Sequence, residues 1–86
     1  MPSPQKKLWY LYIIRCKDGS LYTGITTDVK QRVAKHKSGT GAKYTRGRGV
    51  AKLVYTEVHK SRSAASKREY QIKSLTRQEK LELIKK

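Results

Sequence analysis

The sequence predicts an α+β domain. Three strands form a sheet containing an antiparallel hairpin, flanked by about three helices, in the order β-β-α-β-α-α. Three observations predict it. Two stretches rich in aromatic and β-branched residues are separated by Asp18-Gly19, a strong hairpin signal. A third such stretch lies at Val50 to Val58. Between and after them, apolar residues recur at helical spacing behind capping residues. At 86 residues the chain has room for one modest core. The domain is expected over residues 8–85, with the polar residues 1–7, which include two prolines, as a loose basic arm.

The elements follow in order. Leu8 to Arg15 reads as a strand with Trp9, Leu11 and Ile13 on one face and Tyr10, Tyr12 and Ile14 on the other. Leu21 to Ile25 is the second strand. The loop between them decides the register. A two-residue loop at Asp18-Gly19 would put Tyr12 and Tyr22 on opposite faces. A three-residue loop, Lys17-Asp18-Gly19 with Gly19 left-handed, sets Ile14 against Tyr22 and Tyr12 against Gly24. The second register separates apolar from aromatic-polar faces cleanly and is the one expected, because a slip of one residue reverses every side chain. Asp28 or Thr27 caps a helix running to about Lys37, with Val29 and Val33 as the stripe that packs on the sheet. Arg32 and His36, four residues apart and so about 40° apart around the axis, border that stripe and look into a groove. Ser38 to Gly49 reads as a twelve-residue loop holding four glycines, three basic residues and Tyr44. It is either an ordinary mobile loop or, through Lys43, Tyr44, Arg46 and Arg48, a contact surface for nucleic acid. After the third strand, Ser61 or Ser63 caps a helix to about Leu75 with Ala65, Ile72 and Leu75 inward. Thr76 and Glu79 form a capping box opening a last short helix through Ile84.

Net charge is +15, from 21 Lys and Arg against 6 Asp and Glu, spread along the whole chain. Self-repulsion of that size is relieved by a polyanion, so nucleic acid is the expected partner class. Charge alone specifies no activity. The single Cys16 excludes an internal disulfide and fits a reducing compartment, and no Cys/His spacing suggests zinc. No apolar run is long enough to cross a membrane. The expectation is a cytoplasmic, nucleoid-associated monomer.

The candidate chemistry comes from a few residues. Phenols can handle protons, arginine can hold a phosphate and histidine can share either task. Tyr12, Tyr22, Arg32 and His36 supply those types. Each has an ordinary alternative: half-buried strand aromatics, a surface charge, a solvated helix histidine. Of the six acids, Asp18 sits in a turn, Asp28 and Glu79 at helix starts, Glu82 between lysines and Glu57 near a strand end. Glu69 alone lies mid-helix on an inward face, where a carboxylate needs a cation: a Lys/Arg partner or a metal. One carboxylate cannot hold two metal ions, but it can hold a single Mg²⁺ that keeps waters and takes phosphate oxygens.

The order of these residues carries a resemblance. Tyr10-Leu11-Tyr12, then Tyr22-Thr23-Gly24 ten residues on, Arg32 eight after Gly24, His36 four further and the late helical Glu69 resemble the GIY-YIG nuclease superfamily. Within it the chain is similar to the small stand-alone bacterial proteins of the YhbQ type, over roughly Leu8 to Ile84 and including the stretch GAKYTRGRG. The resemblance implies a DNA endonuclease using one divalent ion, Mg²⁺ or Mn²⁺. Tyr12 and Tyr22 would be the motif tyrosines, one of them helping to activate water. Arg32 would stabilise the phosphate, His36 would assist, and Glu69 would bind the metal. The first motif's glycine is Tyr10 here, and the second motif's middle residue is Thr23. Asparagine, which follows the glutamate in some relatives, is absent from the sequence. The expected substrate is branched or damaged DNA in repair or recombination. A module that grips nucleic acid without cutting it is the alternative, and an RNA- or ribosome-associated basic protein ranks last.

Overall fold

The computed structural model describes residues 8–85; the expected arm over residues 1–7 lies outside them. The chain runs β1 (Trp9–Cys16), β2 (Leu21–Thr26), α1 (Val29–Lys37), α2 (Lys43–Arg48), β3 (Val50–His59), α3 (Arg62–Lys73) and α4 (Arg77–Lys85). The sheet is antiparallel throughout, in the order β2-β1-β3. The central strand is therefore covered on both faces. Leu11, Tyr12, Ile13 and Ile14 are consecutive and all buried.

Alternation along β1 gives the two faces different work. Leu11 and Ile13 pack with Ile72 of α3, bordered by Leu21, Ile25, Leu75, Leu83 and Ile84. This is the hydrophobic core, and each such side chain removed from water stabilises the fold by about 1.5–3 kcal/mol. Tyr12 points the other way, toward α1 and α2, with Ile14 and the free, buried Cys16 on its side of the strand.

The three-residue hairpin is present as expected. Gly19 has φ 87°, the Cys16 N–H donates to Ser20 O at 2.8 Å, and Tyr12 opposes Gly24 while Ile14 opposes Tyr22. The Asp28 carboxylate caps α1 by accepting from the Gln31 N–H at 3.0 Å, and the Ser61 hydroxyl caps α3 by accepting from the Ala64 N–H at 3.1 Å. The Thr76–Glu79 capping box closes in both directions.

Two expectations are corrected, and β3 adds a feature the sequence did not signal. Residues 43–48 form a helix, so four helices flank the sheet. The sequence hides α2, because Ala42 offers no capping side chain and Gly47 lies inside it. Tertiary contacts hold it, and the Gly49 N–H ends it by donating to Thr45 O at 2.9 Å. Val29 and Val33 stay half-buried in an open groove with Leu53, so the buried residue of α1 is His36. Strand β3 carries two irregularities, leaving Val54 and Ala51 without a partner on β1.

The register places Gly24 against the Tyr12 ring. A Cβ there would lie 2.5 Å from the Tyr12 oxygen and 2.7 Å from its Cζ. Gly24→Ala is expected to displace Tyr12 and destabilise the fold by about 1–3 kcal/mol in urea titrations. An alanine tolerated without loss would show that the ring is free to move.

Candidate active site

Tyr12 is fully buried and its hydroxyl lies 2.9 Å from Nε2 of His36. His36 is also buried, and its Nδ1 lies 2.8 Å from the hydroxyl of Thr45 on α2. The Thr45 hydroxyl donates its one proton to Ala42 O at 2.9 Å. It therefore accepts from Nδ1–H at 2.8 Å, a closer contact than the Ala42 N–H, which lies 3.4 Å from the same nitrogen, and Nε2 is left with a lone pair for the Tyr12 O–H. A directed chain runs Tyr12, His36, Thr45, Ala42. Burial lowers the His36 pKa from 6.5, and the nearby Arg32 charge lowers it further, so the ring is neutral at pH 7. Burial raises the Tyr12 pKa above 10; Arg32 opposes the shift, and the charges of Tyr22 and Glu69 add to it.

Tyr22 lies beside this chain, its ring centroid 6.3 Å from Tyr12 and 5.2 Å from His36. Tyr44 of α2 follows at 5.6 Å from Tyr22, with the Arg48 guanidinium 4.0 Å above its ring. Arg48 also pairs with Asp18 in the hairpin turn at 3.3 Å. Lys43, Tyr44, Arg46 and Arg48 are all exposed on α2, beside the tyrosines.

Arg32 comes from the same helix as His36. Its Nε is buried and has no partner among the described residues. A buried charged donor without an acceptor costs free energy, which an incoming phosphate oxygen would recover. Glu69 reaches the site from α3, close enough for its charge to raise the Tyr12 pKa. Its carboxylate lies 3.2 Å from Lys73 Nζ on the same helix. Among the described residues no three His, Cys, Asp or Glu side chains gather to hold a metal. Glu69 is a single carboxylate donor, the type a hard cation takes, and its present partner is the Lys73 ammonium.

The other inward carboxylate is occupied. Glu57 accepts from Nε and Nη2 of Arg68 at 2.9–3.0 Å, from His59 Nε2 at 3.0 Å and from the Tyr55 hydroxyl. Burial pushes its pKa up, but these hydrogen bonds outweigh burial and hold it low.

Tyr12, Tyr22, Arg32 and His36 thus meet in space, with Glu69 within electrostatic reach. Sequence reasoning missed Thr45, which fixes the histidine tautomer, and Gly41, whose missing side chain leaves room for the His36 ring. A buried helical histidine needs a second-nitrogen partner, and the nearest hydroxyls along the chain were the available signal.

A profile of the GIY-YIG catalytic domain matches residues 8–82. A UPF0213 protein of Staphylococcus saprophyticus is 55% identical over 75 residues, covering 87% of this chain and 92% of that one. One from Clostridium perfringens is 56% identical over 75 residues, covering 87% and 81%. The solution NMR structure of a UPF0213 protein from Bacillus halodurans is 52% identical, covers 91% of this chain and 83% of that chain, and superposes with a TM-score of 0.59. A solution NMR structure of an E. faecalis protein is 46% identical, with coverage of 93% and 85% and a TM-score of 0.63. The match to the catalytic-domain profile spans nearly all of the chain, and the chain belongs to the GIY-YIG family, within its small UPF0213 bacterial branch.

Proposed function

We propose that this protein is a Mg²⁺- or Mn²⁺-dependent endonuclease that hydrolyses DNA phosphodiester bonds and acts on branched or damaged DNA in repair or recombination. The observation that carries the reading is the Tyr12–His36–Thr45 chain lying beside the unpartnered Nε of Arg32. Its place is the cytoplasm, on nucleoid DNA, as a monomer.

The residues divide the work. Arg32 holds a non-bridging phosphate oxygen and stabilises charge as the transition state forms. The Tyr12 oxygen accepts a proton from the attacking water while its own proton passes to His36 Nε2. Water oxygen bonds to phosphorus, the ester P–O bond breaks, and the departing oxygen takes a proton from solvent. A free phenol is a poor base at pH 7, so the buried neutral imidazole behind it is what makes the transfer feasible. Tyr22 packs beside both rings and keeps their spacing. The divalent ion, on Glu69, would neutralise phosphate charge and polarise the water.

A second reading, a module that grips nucleic acid without cutting, is favoured by the Glu69–Lys73 ion pair, which competes with the metal. Purified protein offered branched, nicked and linear DNA separates the two. Cutting should require Mg²⁺ or Mn²⁺ and stop with chelator. Glu69→Gln and Tyr12→Phe should each lose about 10²–10⁴-fold in rate while still binding DNA. Equal cutting by Glu69→Gln would assign the products to a contaminant.

The pH dependence has a definite sign. His36 must be neutral to accept a proton, and its folded pKa lies below 6.5. Activity should hold down through pH 6.5 and fall only below it. Stability follows the same group. Below pH 6.5 the unfolded chain takes up a proton that the folded chain resists, so stability drops as pH falls toward the folded pKa. Thermal unfolding from pH 8 to 5 should show this loss in the parent and a flatter profile in His36→Gln.

A further inference from the structure

Strand β2 is an edge of the sheet and carries Tyr22 and Gly24 at its middle. A cleft lies at each of its ends. At the Thr26 end the lining is Trp9, Ile25, Thr26, Thr27, Arg32 and Arg62. At the Leu21 end it is Ser20, Leu21, Tyr44, Arg77 and Lys80. Neither lining contains a carboxylate, and each pairs one aromatic ring with cations. Arg62 lies 5.7 Å from the Trp9 ring and Arg48 4.0 Å from the Tyr44 ring. Tyr22, Tyr44 and Arg48 form a column of planes leading out of the active site.

The two clefts have the same chemistry: an aromatic ring capped by a guanidinium plane on which a base can stack, and further cations for phosphates. Rings read a base only when it has left its stack, since a continuous duplex presents phosphates and groove edges. The six residues of β2 separate the clefts by about 17 Å. That distance spans about five nucleotides at stacked rise, and fewer once the bases leave the stack and the strand lengthens.

We infer that the strand entering this site is DNA unpaired over a few nucleotides, laid along β2 with one base at the Trp9/Arg62 cleft and another at the Tyr44/Arg77/Lys80 cleft. This rests on the nuclease reading for the bond that is cut, but not for the binding itself. It gives Arg62, Arg77 and Lys80 a positioning role.

The test uses the Glu69→Gln protein, so that binding is read without cleavage. Fluorescence anisotropy at fixed salt compares a short single-stranded oligodeoxynucleotide, the same sequence as a blunt duplex, and single-stranded RNA. Single-stranded DNA should bind about tenfold tighter than duplex, and Tyr44→Ala or Trp9→Ala should each lose about tenfold on the single strand alone. Tyr44→Phe should restore it. Arg77→Ala with Lys80→Ala should weaken single-strand binding more than Lys30→Ala with Lys37→Ala, which removes the same charge beside the α1 groove. Should Trp9→Ala unfold, Arg62→Ala tests that cleft from its exposed side. Equal affinity for duplex and single strand, or ring variants no weaker than the charge control, would overturn the inference, as would RNA bound far more tightly than DNA. A protein that cuts duplex and single strand alike would sink the inference and leave the nuclease reading standing. A protein that never cuts, yet keeps the strand preference and its loss in the ring variants, would do the reverse.

Discussion

The structure depends on where one phenol is held. Tyr12 sits in the central strand of a three-stranded sheet, packs its hydroxyl end against a residue with no side chain, and hydrogen-bonds a buried imidazole. Each condition comes from a different part of the chain. The hairpin loop sets the register that puts Gly24 under the ring. Helix α1 supplies His36 one turn after Arg32. Helix α2 supplies Thr45, without which the imidazole could hold either nitrogen protonated. In a buried place an unmatched donor or acceptor costs about 1–3 kcal/mol, so such a chain persists only when every member is satisfied. Arg32 Nε is the group left unmatched among the described residues.

Electrostatics bias the same site in one direction. The chain carries a large excess of cations, yet the groups at the centre are neutral: a phenol with a raised pKa and an imidazole with a lowered one. Burial disfavours the charged form of both, and Arg32 pulls both downward. In the proposed reaction, a proton moving from phenol to imidazole creates charge where charge is costly, and a bound phosphate with its cation would offset that cost.

Much of this was legible in the sequence. The register followed from Asp18-Gly19 and from which face would hold the tryptophan, leucine and isoleucines. The caps at Asp28, Ser61 and Thr76 followed from side chains able to accept a backbone hydrogen bond. The Tyr12, Tyr22, Arg32, His36 set followed from order and spacing. Helix α2 did not, because its residues have poor helical signals and its support comes from Tyr22, His36 and Asp18, all distant in sequence. The valines of α1 misled in the other direction: a stripe at helical spacing says which side is apolar, not how deeply a neighbour covers it. The position of Glu69 was readable only as an inward face, since its pairing with Lys73 depends on side-chain choice.

Arg68 and Glu69 are neighbours in α3, about 100° apart around its axis. The first is clamped to Glu57 on β3, and the second faces the opposite edge of the sheet. The clamp restrains α3 against rolling, and a roll would carry the second carboxylate with it. The place of Glu69 near Tyr12 is therefore tied to an ion pair made with β3. Damage at that remote pair would be felt at Glu69, with nothing beside Tyr12 having changed.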